Sequence, residues 1–354
     1  MPNYHEEQDR KNILRLREQL KVLPPFLSEF FRNRADYTSS RTRLGYAYDL
    51  KLFFNFFINE TRDFSAKTID DFGLGDLSKV TADHIEEFME YLSYYTTNRD
   101  RKDAEYHIEN KLDGKSRKLS AIRSMFTYFY KKGKVTANPA ELVTTPPTKE
   151  KAKVYLDVNE IANLLDEADS GENLTKKQKD YHAITRCRDV AILSLFAGTG
   201  IRISEAVGLD ISDIDIENGV FQVIRKGGDA TVLYFGDEVE RALENYLNVR
   251  KEIIAKPGHE QALFLSLQNR RITARAVQNL VKKYSGLANS FKKITPHKLR
   301  SSFGTNMYRQ TGDIYLVADL LGHKDVNTTR KIYADTKQDA GRRAVRELRL
   351  RDDD

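Results

Sequence analysis

A proline-rich break before residue 150 divides this 354-residue chain into two parts with different periodicity. Asn138-Pro139 and Pro146-Pro147 interrupt any helix there, because proline lacks a backbone donor and restricts the residue before it. The charged stretch 149–153 follows directly. Since a chain of this length exceeds the usual size of one domain, we interpret residues 146–153 as a linker between two domains.

The part before this linker has apolar residues at the intervals of amphipathic helices. Thr38-Ser39-Ser40 and Thr81-Ala82-Asp83-His84 are cap signals at which two of these helices are expected to begin. The polar stretch from Thr96 to Gly114 predicts a loop at its start, and a basic amphipathic helix is predicted from Lys115 onward. We therefore predict an all-helical region, made of an extension over residues 1–36 and a helical domain over residues 37–145.

Four cations occupy the polar side of this basic helix. They are Lys115, Arg117, Lys118 and Arg123. On this helix alone a solvated surface is the favoured explanation of such a pattern, and contacts with DNA phosphates are the alternative. They are therefore the candidates for DNA binding in this part of the chain.

The part after the linker, residues 154–354, changes periodicity once. A buried helix is predicted over residues 188–197, and then apolar and polar residues alternate from 214 to 224. Asn218-Gly219 is a strong hairpin signal, and a second turn over 226–229 precedes the apolar stretch 232–235. This pattern predicts a three-stranded sheet inside a helical domain. The predicted fold class is mainly α with a small antiparallel β-sheet.

The composition narrows the class of protein further. A net charge of +6 favours an anionic partner such as nucleic acid. Cys187 is the single cysteine, which excludes an intrachain disulfide and a thiolate metal cluster. No apolar run approaches the roughly 20 residues that span a bilayer, and residues 1–12 lack an apolar signal core. We expect a cytoplasmic protein without membrane contacts.

Side chains suited to phosphate chemistry lie in four short segments of the second part. They are Arg202 in 198–205 (Gly-Thr-Gly-Ile-Arg-Ile-Ser-Glu), His297 and Arg300 in 297–300 (His-Lys-Leu-Arg), His323 in 321–323 (Leu-Gly-His) and Tyr333 in 331–333 (Lys-Ile-Tyr). An arginine fork matches phosphate oxygens bidentately, and a tyrosine becomes a nucleophile when cations and a proton acceptor assist it. No carboxylate cluster at metal-ligand spacing accompanies them, so no metal or other cofactor is expected.

Each of these residues alone has an ordinary structural explanation. Arg202 follows a glycine turn, where a helix is expected to begin, and it fits a surface ion pair with Glu205. Thr295-Pro296 predicts the start of another helix, and the i, i+3 spacing places His297 and Arg300 on one face of it. These cations fit the solvated side of a capped helix. His323 after a glycine C-cap fits compensation of a helix dipole. Tyr333 is one of 18 tyrosines. Only the order and spacing of all four segments together favour a phosphate site.

These four segments, in this order, resemble the motif set of the tyrosine recombinases, also called the phage integrase family. The resemblance covers the chain from about residue 154 to its end and, more weakly, the helical core-binding domain before it. The extra helical stretch before Tyr37 is similar to single-protein Xer-type recombinases. It implies a helical core-binding, SAM-like domain followed by an α+β catalytic domain with a carboxy-terminal tail helix.

The resemblance also implies a role for each matching residue. Arg202, His297, Arg300 and His323 would bind the scissile phosphate, and Tyr333 would attack it. Lys226 matches the lysine of the second hairpin turn, although Arg225 beside it is a competing candidate. Glu205 matches the acidic support position. The implied reaction is site-specific recombination through a 3′-phosphotyrosyl intermediate, without metal or ATP.

The partners implied by the resemblance are double-stranded DNA and further copies of the chain. A homotetramer would hold two DNA sites and a Holliday junction, with the tail helix docked in a neighbouring protomer or on its own domain. The resemblance favours chromosome dimer resolution as the function, with a DNA translocase or accessory protein as a further partner. Integration or excision of a mobile element, a type IB topoisomerase and a non-catalytic architectural DNA-binding protein stay open as alternatives.

Overall fold

The computed structural model describes residues 3–64, 67–98, 105–147, 154–225, 228–288 and 292–322. The chain forms two compact units, Met1–Lys151 and Ala152–Asp354. In the described residues the fold is mainly helical with small antiparallel sheets, which confirms the predicted fold class. No helix in these ranges is both long and apolar enough to cross a membrane.

The described part of the amino-terminal unit contains six helices and one short 3₁₀ turn. The helices are α1 (Tyr4–Leu20), α2 (Leu27–Asn33), α3 (Ser40–Glu60), α4 (Leu74–Leu77), α5 (Ala82–Tyr91) and α6 (Leu112–Lys131), and the 3₁₀ turn is Pro139–Glu141. The predicted caps are confirmed, because Ser39 accepts from the amide of Thr42 and Thr81 accepts from the amide of His84. Helix α6 begins three residues before the predicted Lys115.

An aromatic core holds these helices together. Phe30 of α2, Phe53 of α3, Phe88 of α5 and Phe129 of α6 are fully buried in one cluster. Leu16 of α1 belongs to the same cluster. Residues 1–36 therefore contribute side chains to the core that also contains α3 and α6.

The prediction of an all-helical first part, with a loop starting at Thr96, was wrong. Strands β1 (Tyr95–Asn98) and β2 (Glu105–Ile108) form an antiparallel hairpin in which Tyr95 pairs with Ile108. The ring of Tyr95 is buried and stacks on that of Tyr91 at 5.2 Å. Both strands are short and largely polar. With one buried aromatic ring, the alternation of apolar and polar residues is too weak to predict a strand.

The described part of the carboxy-terminal unit contains seven helices, a 3₁₀ turn and a second sheet. The helices are α7 (Val158–Ser170), α8 (Lys176–Thr199), α9 (Ile203–Gly208), α10 (Asp237–Lys251), α11 (Ala274–Leu287), α12 (Pro296–Thr311) and α13 (Ile314–Leu321), and the 3₁₀ turn is Ile211–Asp213. Helix α8 begins twelve residues before the predicted start at Arg188. Its first half is polar, and Thr175 caps it by accepting from the amide of Gln178.

The predicted three-stranded antiparallel sheet is confirmed. It consists of β3 (Ile214–Asp215), β4 (Val220–Ile224) and β5 (Ala230–Tyr234), in that order. Gly219 adopts a φ of 64° in the first turn, a conformation that glycine reaches at low cost. Phe221 and Leu233 pair across β4 and β5 and are both buried. Lys226 and Gly227 of the second predicted turn lie outside the described residues.

Candidate active site

Arg202 lies at the junction between α8 and α9. Helix α8 ends at Gly200, whose φ of 62° places it in the left-handed region. A β-carbon at Gly200 would lie 2.5 Å from a ring carbon of Phe303 and 2.9 Å from a methyl of Leu321. The chain then turns into α9 with Arg202 as the N-cap. Glycine is therefore needed where α8 approaches α12 and α13, and the predicted helix start at Arg202 is confirmed.

Glu205 holds Arg202 through two hydrogen bonds. Its Oε1 accepts from Nη1 of Arg202 at 2.8 Å, and its Oε2 accepts from the backbone amide of Arg202 at 2.9 Å. The Glu205 side chain is 3% exposed, whereas that of Arg202 is 33% exposed. One edge of the guanidinium is thus fixed by a buried carboxylate, and a third of the side chain still faces solvent.

Arg300 connects the ends of two other elements. It lies on α12, which begins with Thr295 as N-cap and Pro296 in the first turn, as predicted. The side chain is buried; its Nη1 donates to the carbonyl of Gly200 and its Nη2 to the carbonyl of Leu321. The arginine therefore joins the carboxyl end of α8 to that of α13.

His297 lies one turn before Arg300 on the same helix and is exposed. Its carbonyl accepts a hydrogen bond from the hydroxyl of Ser301 at 3.1 Å. The i, i+3 spacing of His297 and Arg300 is that of neighbours on one helix face, as predicted. The buried member of the pair is the arginine, and the histidine is the accessible one.

The carboxyl end of α13 is where both predicted arginines converge. Nη2 of Arg202 donates to the carbonyl of Gly322 at 3.1 Å, next to the Leu321 carbonyl that accepts from Arg300. Gly322 caps α13 with a φ of 59°, which confirms the predicted glycine C-cap. Arg202 and Arg300, from two segments 98 residues apart in the chain, thus lie at one helix end.

A third arginine, Arg225, reaches the same helix end. It directly follows β4, and its Nη2 donates to the carbonyl of Leu320 at 3.2 Å. Burial lowers the pKa of the Arg225 guanidinium and Arg202 lowers it further, while Glu205 opposes them. From the sequence, Arg225 was predicted only as an alternative to Lys226 at the hairpin-turn position. Its position beside the turn lysine is the one signal that could have identified it.

The remaining predicted catalytic residues, Lys226, His323 and Tyr333, lie outside the described residues, and their roles stay predictions. The described site is therefore a cluster of three guanidinium groups around a helix end, with one buried carboxylate. Guanidinium groups present five donors each in a fixed plane, so such a cluster is suited to an oxyanion. Within the described ranges no group of three histidine, cysteine or carboxylate side chains is placed to hold a metal ion.

The four cations predicted to bind DNA all have partners within the amino-terminal unit. Lys115 donates to Ser93, Arg117 pairs with Asp49, Lys118 donates to Asn110, and Arg123 donates to the carbonyls of Ala140 and Val143. Lys118 is 7% exposed, whereas the Arg117 side chain is 54% exposed. Their contact with DNA stays a prediction, and Lys118 is the least accessible of the four.

Two comparisons place this chain among known proteins by sequence. Residues 155–339 match the family model described as the phage integrase family. A protein named tyrosine recombinase XerC from Caldanaerobacter subterraneus subsp. tengcongensis is 34% identical over 348 residues. That alignment covers 95% of this chain and 90% of the relative.

Comparison with solved structures gives the same fold. A XerH site-specific recombinase bound to palindromic difH substrate, in a post-cleavage complex, has a TM-score of 0.64 at 20% identity, covering 95% of this chain and 88% of that one. A lambda integrase tetramer bound to a Holliday junction has a TM-score of 0.59 at 16% identity, covering 87% and 76% of the two chains. At these identities the likeness concerns the fold.

Proposed function

This chain belongs to the phage integrase family, the tyrosine recombinases, and on that basis we propose that it is a site-specific DNA recombinase. It cleaves and rejoins DNA strands through a covalent bond between Tyr333 and a 3′ phosphate. The observation that carries this proposal is the convergence of Arg202 and Arg300 on one helix end, with Glu205 fixing the Arg202 fork. Two arginines held at one point are what a single phosphate requires.

The proposed cleavage is a transesterification in which no oxidant or nucleotide is consumed. The Tyr333 oxygen attacks the scissile phosphorus, the bond to the 5′ oxygen breaks, and Lys226 gives that oxygen a proton. His297 accepts the tyrosine proton or hydrogen-bonds it. Attack by a 5′ hydroxyl of the partner strand then reverses the chemistry and releases the tyrosine.

The arginines act on the charge that develops during this step. The phosphorane oxygens gain negative charge, and Arg202, Arg300 and His323 donate to them. Because Glu205 occupies one edge of the Arg202 fork, the donors left for the phosphate come from the exposed part of that side chain. Neither a metal ion nor ATP has a part in this scheme.

We propose double-stranded DNA and three further copies of the chain as partners. The homotetramer would hold two DNA sites through a Holliday junction, with the tail helix of each protomer docked on a neighbour. The likeness to a XerC protein along 95% of the chain favours chromosome dimer resolution over integration of a mobile element. Action on the chromosome places the protein in the cytoplasm, with a DNA translocase or accessory factor as its regulator.

A nicked suicide substrate tests the chemistry. The nick lets the short 5′-hydroxyl fragment diffuse away after cleavage, so that the covalent adduct accumulates. We expect the wild-type protein to form an adduct that survives denaturation and Tyr333→Phe to form none. Tyr315→Phe, which removes the hydroxyl of an exposed tyrosine on α13, is the matched control and should react like wild type. If no cognate site yields an adduct with wild type, the protein is an architectural DNA-binding factor instead.

Two further measurements separate the related functions. Stable tetramers on two duplexes are expected for a recombinase, whereas a type IB topoisomerase acts as a monomer on one duplex. Mapping of the binding sites in the genome should reveal a single site near the replication terminus. Binding at the ends of a mobile element would identify an integrase.

A further inference from the structure

Three successive backbone carbonyls at the end of α13 each accept a hydrogen bond from a different arginine. The pairs are Leu320 with Arg225, Leu321 with Arg300, and Gly322 with Arg202. The last carbonyls of a helix have no partner inside the helix, and they lie at the negative end of its dipole. Two of these arginines are assigned to the phosphate above, and Arg225 is not.

Arg225 lies against the last turn of α13, where its Nη2 reaches the carbonyl of Leu320. Arg225 is half-buried, and its buried Nε has no hydrogen-bond partner among the described residues. The guanidinium therefore contacts the last turn of α13 although one of its buried donors makes no hydrogen bond there.

The three arginines differ in the partners that hold them. Arg202 and Arg300 each have other partners, Glu205 and the Gly200 carbonyl respectively. Among the described residues, the side chain of Arg225 donates its hydrogen bond to the end of α13. If α13 shifted, the two carbonyls held by Arg202 and Arg300 would shift with it.

We propose that Arg225 is a positioning residue for DNA cleavage, which fixes the last turn of α13 so that Arg202 and Arg300 meet the scissile phosphate. This inference rests on the proposed function. Arg225 acts through the helix end and does not touch the phosphate itself.

The test combines a cleavage rate with a measurement on the DNA-free protein. Single-turnover cleavage of the suicide substrate at saturating DNA is expected to be about 10–100-fold slower in Arg225→Ala, because one hydrogen bond from a charged donor is lost. The dissociation constant for DNA should change by less than about threefold, which is under 1 kcal/mol. Without DNA, amide hydrogen exchange over residues 314–322 should become faster.

The two readouts together decide between the possible roles. Slow cleavage with unchanged exchange would mean a direct phosphate contact, and faster exchange with normal cleavage would mean a merely structural role; either overturns the proposal. Arg225→Lys keeps the charge without the planar fork, so it should also be slow. If Arg225→Lys kept the wild-type cleavage rate and the wild-type hydrogen exchange, the planar guanidinium would not be required, which would contradict the proposal.

Arg250→Ala is the matched control for loss of an arginine that binds carbonyls. Arg250 is buried and donates to the carbonyls of Ala262, Ile253 and Glu260. Its loss should lower the melting temperature without a selective change in exchange over 314–322 or in the cleavage rate of the folded protein. An equal loss of cleavage in both variants would reduce the Arg225 effect to general stability and overturn the proposal.

The controls also separate this inference from the proposed function. If wild type forms no adduct with any cognate site, the recombinase assignment fails. If wild type forms an adduct and Arg225→Ala matches it in rate and exchange, the positioning role alone fails.

Discussion

At the residue scale, the carboxylate of Glu205 controls the geometry of Arg202. Both of its oxygens are acceptors, one for the side chain and one for the backbone amide. A glutamine offers one acceptor oxygen and one donor amide, so it cannot satisfy both hydrogen bonds. An isolated arginine–glutamate pair on the surface contributes little, but here the carboxylate is buried.

We therefore predict that Glu205→Gln slows adduct formation about 10–100-fold, the equivalent of about 1.5–3 kcal/mol for a hydrogen bond to a charged group. Binding of DNA should change little, because the arginine remains charged. Single-turnover cleavage of the suicide substrate measures the effect. Glu244→Gln, at an exposed position on α10, is the control. A wild-type rate in Glu205→Gln would contradict the support role.

A buried carboxylate of the amino-terminal unit makes stability depend on pH. Burial raises the pKa of Asp49, while Arg117 and Lys118 lower it. A raised pKa in the folded state means that the contribution of Asp49 is fully present below its unfolded pKa of about 4 and is lost as the pH rises through the folded pKa. The ion pair with the half-exposed Arg117 does not offset the burial.

We predict that the free energy of unfolding of wild type, minus that of Asp49→Asn, falls as the pH rises from about 3 to 7. The variant lacks the titrating group, so the difference isolates its contribution. Urea unfolding at several pH values, followed by circular dichroism, measures it. A difference that grows with pH would contradict the raised pKa.

At the element scale, the end of α8 must pass close to α12 and α13. Gly200 and Gly312 both cap helices with positive φ, at 62° and 68°. A β-carbon at Gly200 would meet Phe303 and Leu321, whereas a β-carbon at Gly312 would meet nothing within 4 Å. The two glycines thus separate the cost of the backbone conformation from the cost of overlap.

Gly312→Ala is expected to destabilise the fold by about 1–2 kcal/mol, the cost of a left-handed conformation. Gly200→Ala should cost about 1–3 kcal/mol more, because overlap in a packed core is added. Urea unfolding of both variants gives the difference. Equal losses would mean that the elements move apart without cost.

A buried network joins α8 to α11. Asp189 on α8 accepts from the hydroxyl of Tyr284 at 3.0 Å and from Nη2 of Arg188 at 2.7 Å, and Lys283 lies at 3.4 Å. Burial and the negative charge of Asp189 raise the pKa of Tyr284. The phenol therefore stays protonated and acts as a donor.

Tyr284→Phe removes one of several donors and should cost about 1–2 kcal/mol of unfolding free energy. Asp189→Ala leaves Arg188 and Lys283 without their buried partner and should cost about 3–5 kcal/mol. Thermal and urea unfolding measure both losses. Tyr181→Phe, at an exposed position on α8, should be neutral. A larger loss for the phenylalanine variant at 284 than for Asp189→Ala would contradict this ranking.

At the scale of the whole molecule, a net charge of +6 and the proposed contacts with DNA phosphates predict strong dependence on salt. If about 6–10 phosphates are contacted, affinity should fall by about 10³–10⁵ between 50 and 200 mM salt. Fluorescence anisotropy with a cognate duplex at several salt concentrations gives the slope.

The cations of α6 are expected to contribute unequally to that slope. Arg117→Ala should reduce it by about one unit if this half-exposed side chain contacts a phosphate. Lys118→Met should leave it unchanged, because Lys118 is buried against Asn110. Lys251→Ala, at an exposed position on α10, serves as the control. A slope that responds to Lys118 and not to Arg117 would reverse this assignment.

Features that depend on neighbours along the chain were predicted well from the sequence. The caps at Ser39 and Thr81, the start of α9 at Arg202 and the glycine end of α13 agree with the structure. A cap or turn is decided by a few adjacent residues, so its signal is local. The β1–β2 hairpin and the polar first half of α8 were missed because their burial pattern is weak.

By itself the sequence determined the mainly helical fold class, the three-stranded sheet of the second unit, several helix caps, and the order of the motif residues that indicated a tyrosine recombinase. Only the tertiary structure decided that Arg202, Arg225 and Arg300 meet at consecutive carbonyls of one helix end. The arginines lie 120, 95 and 21 residues from the carbonyls they bind. Contacts at such separation depend on how the whole domain packs around α8, α12 and α13, and no local pattern encodes that packing.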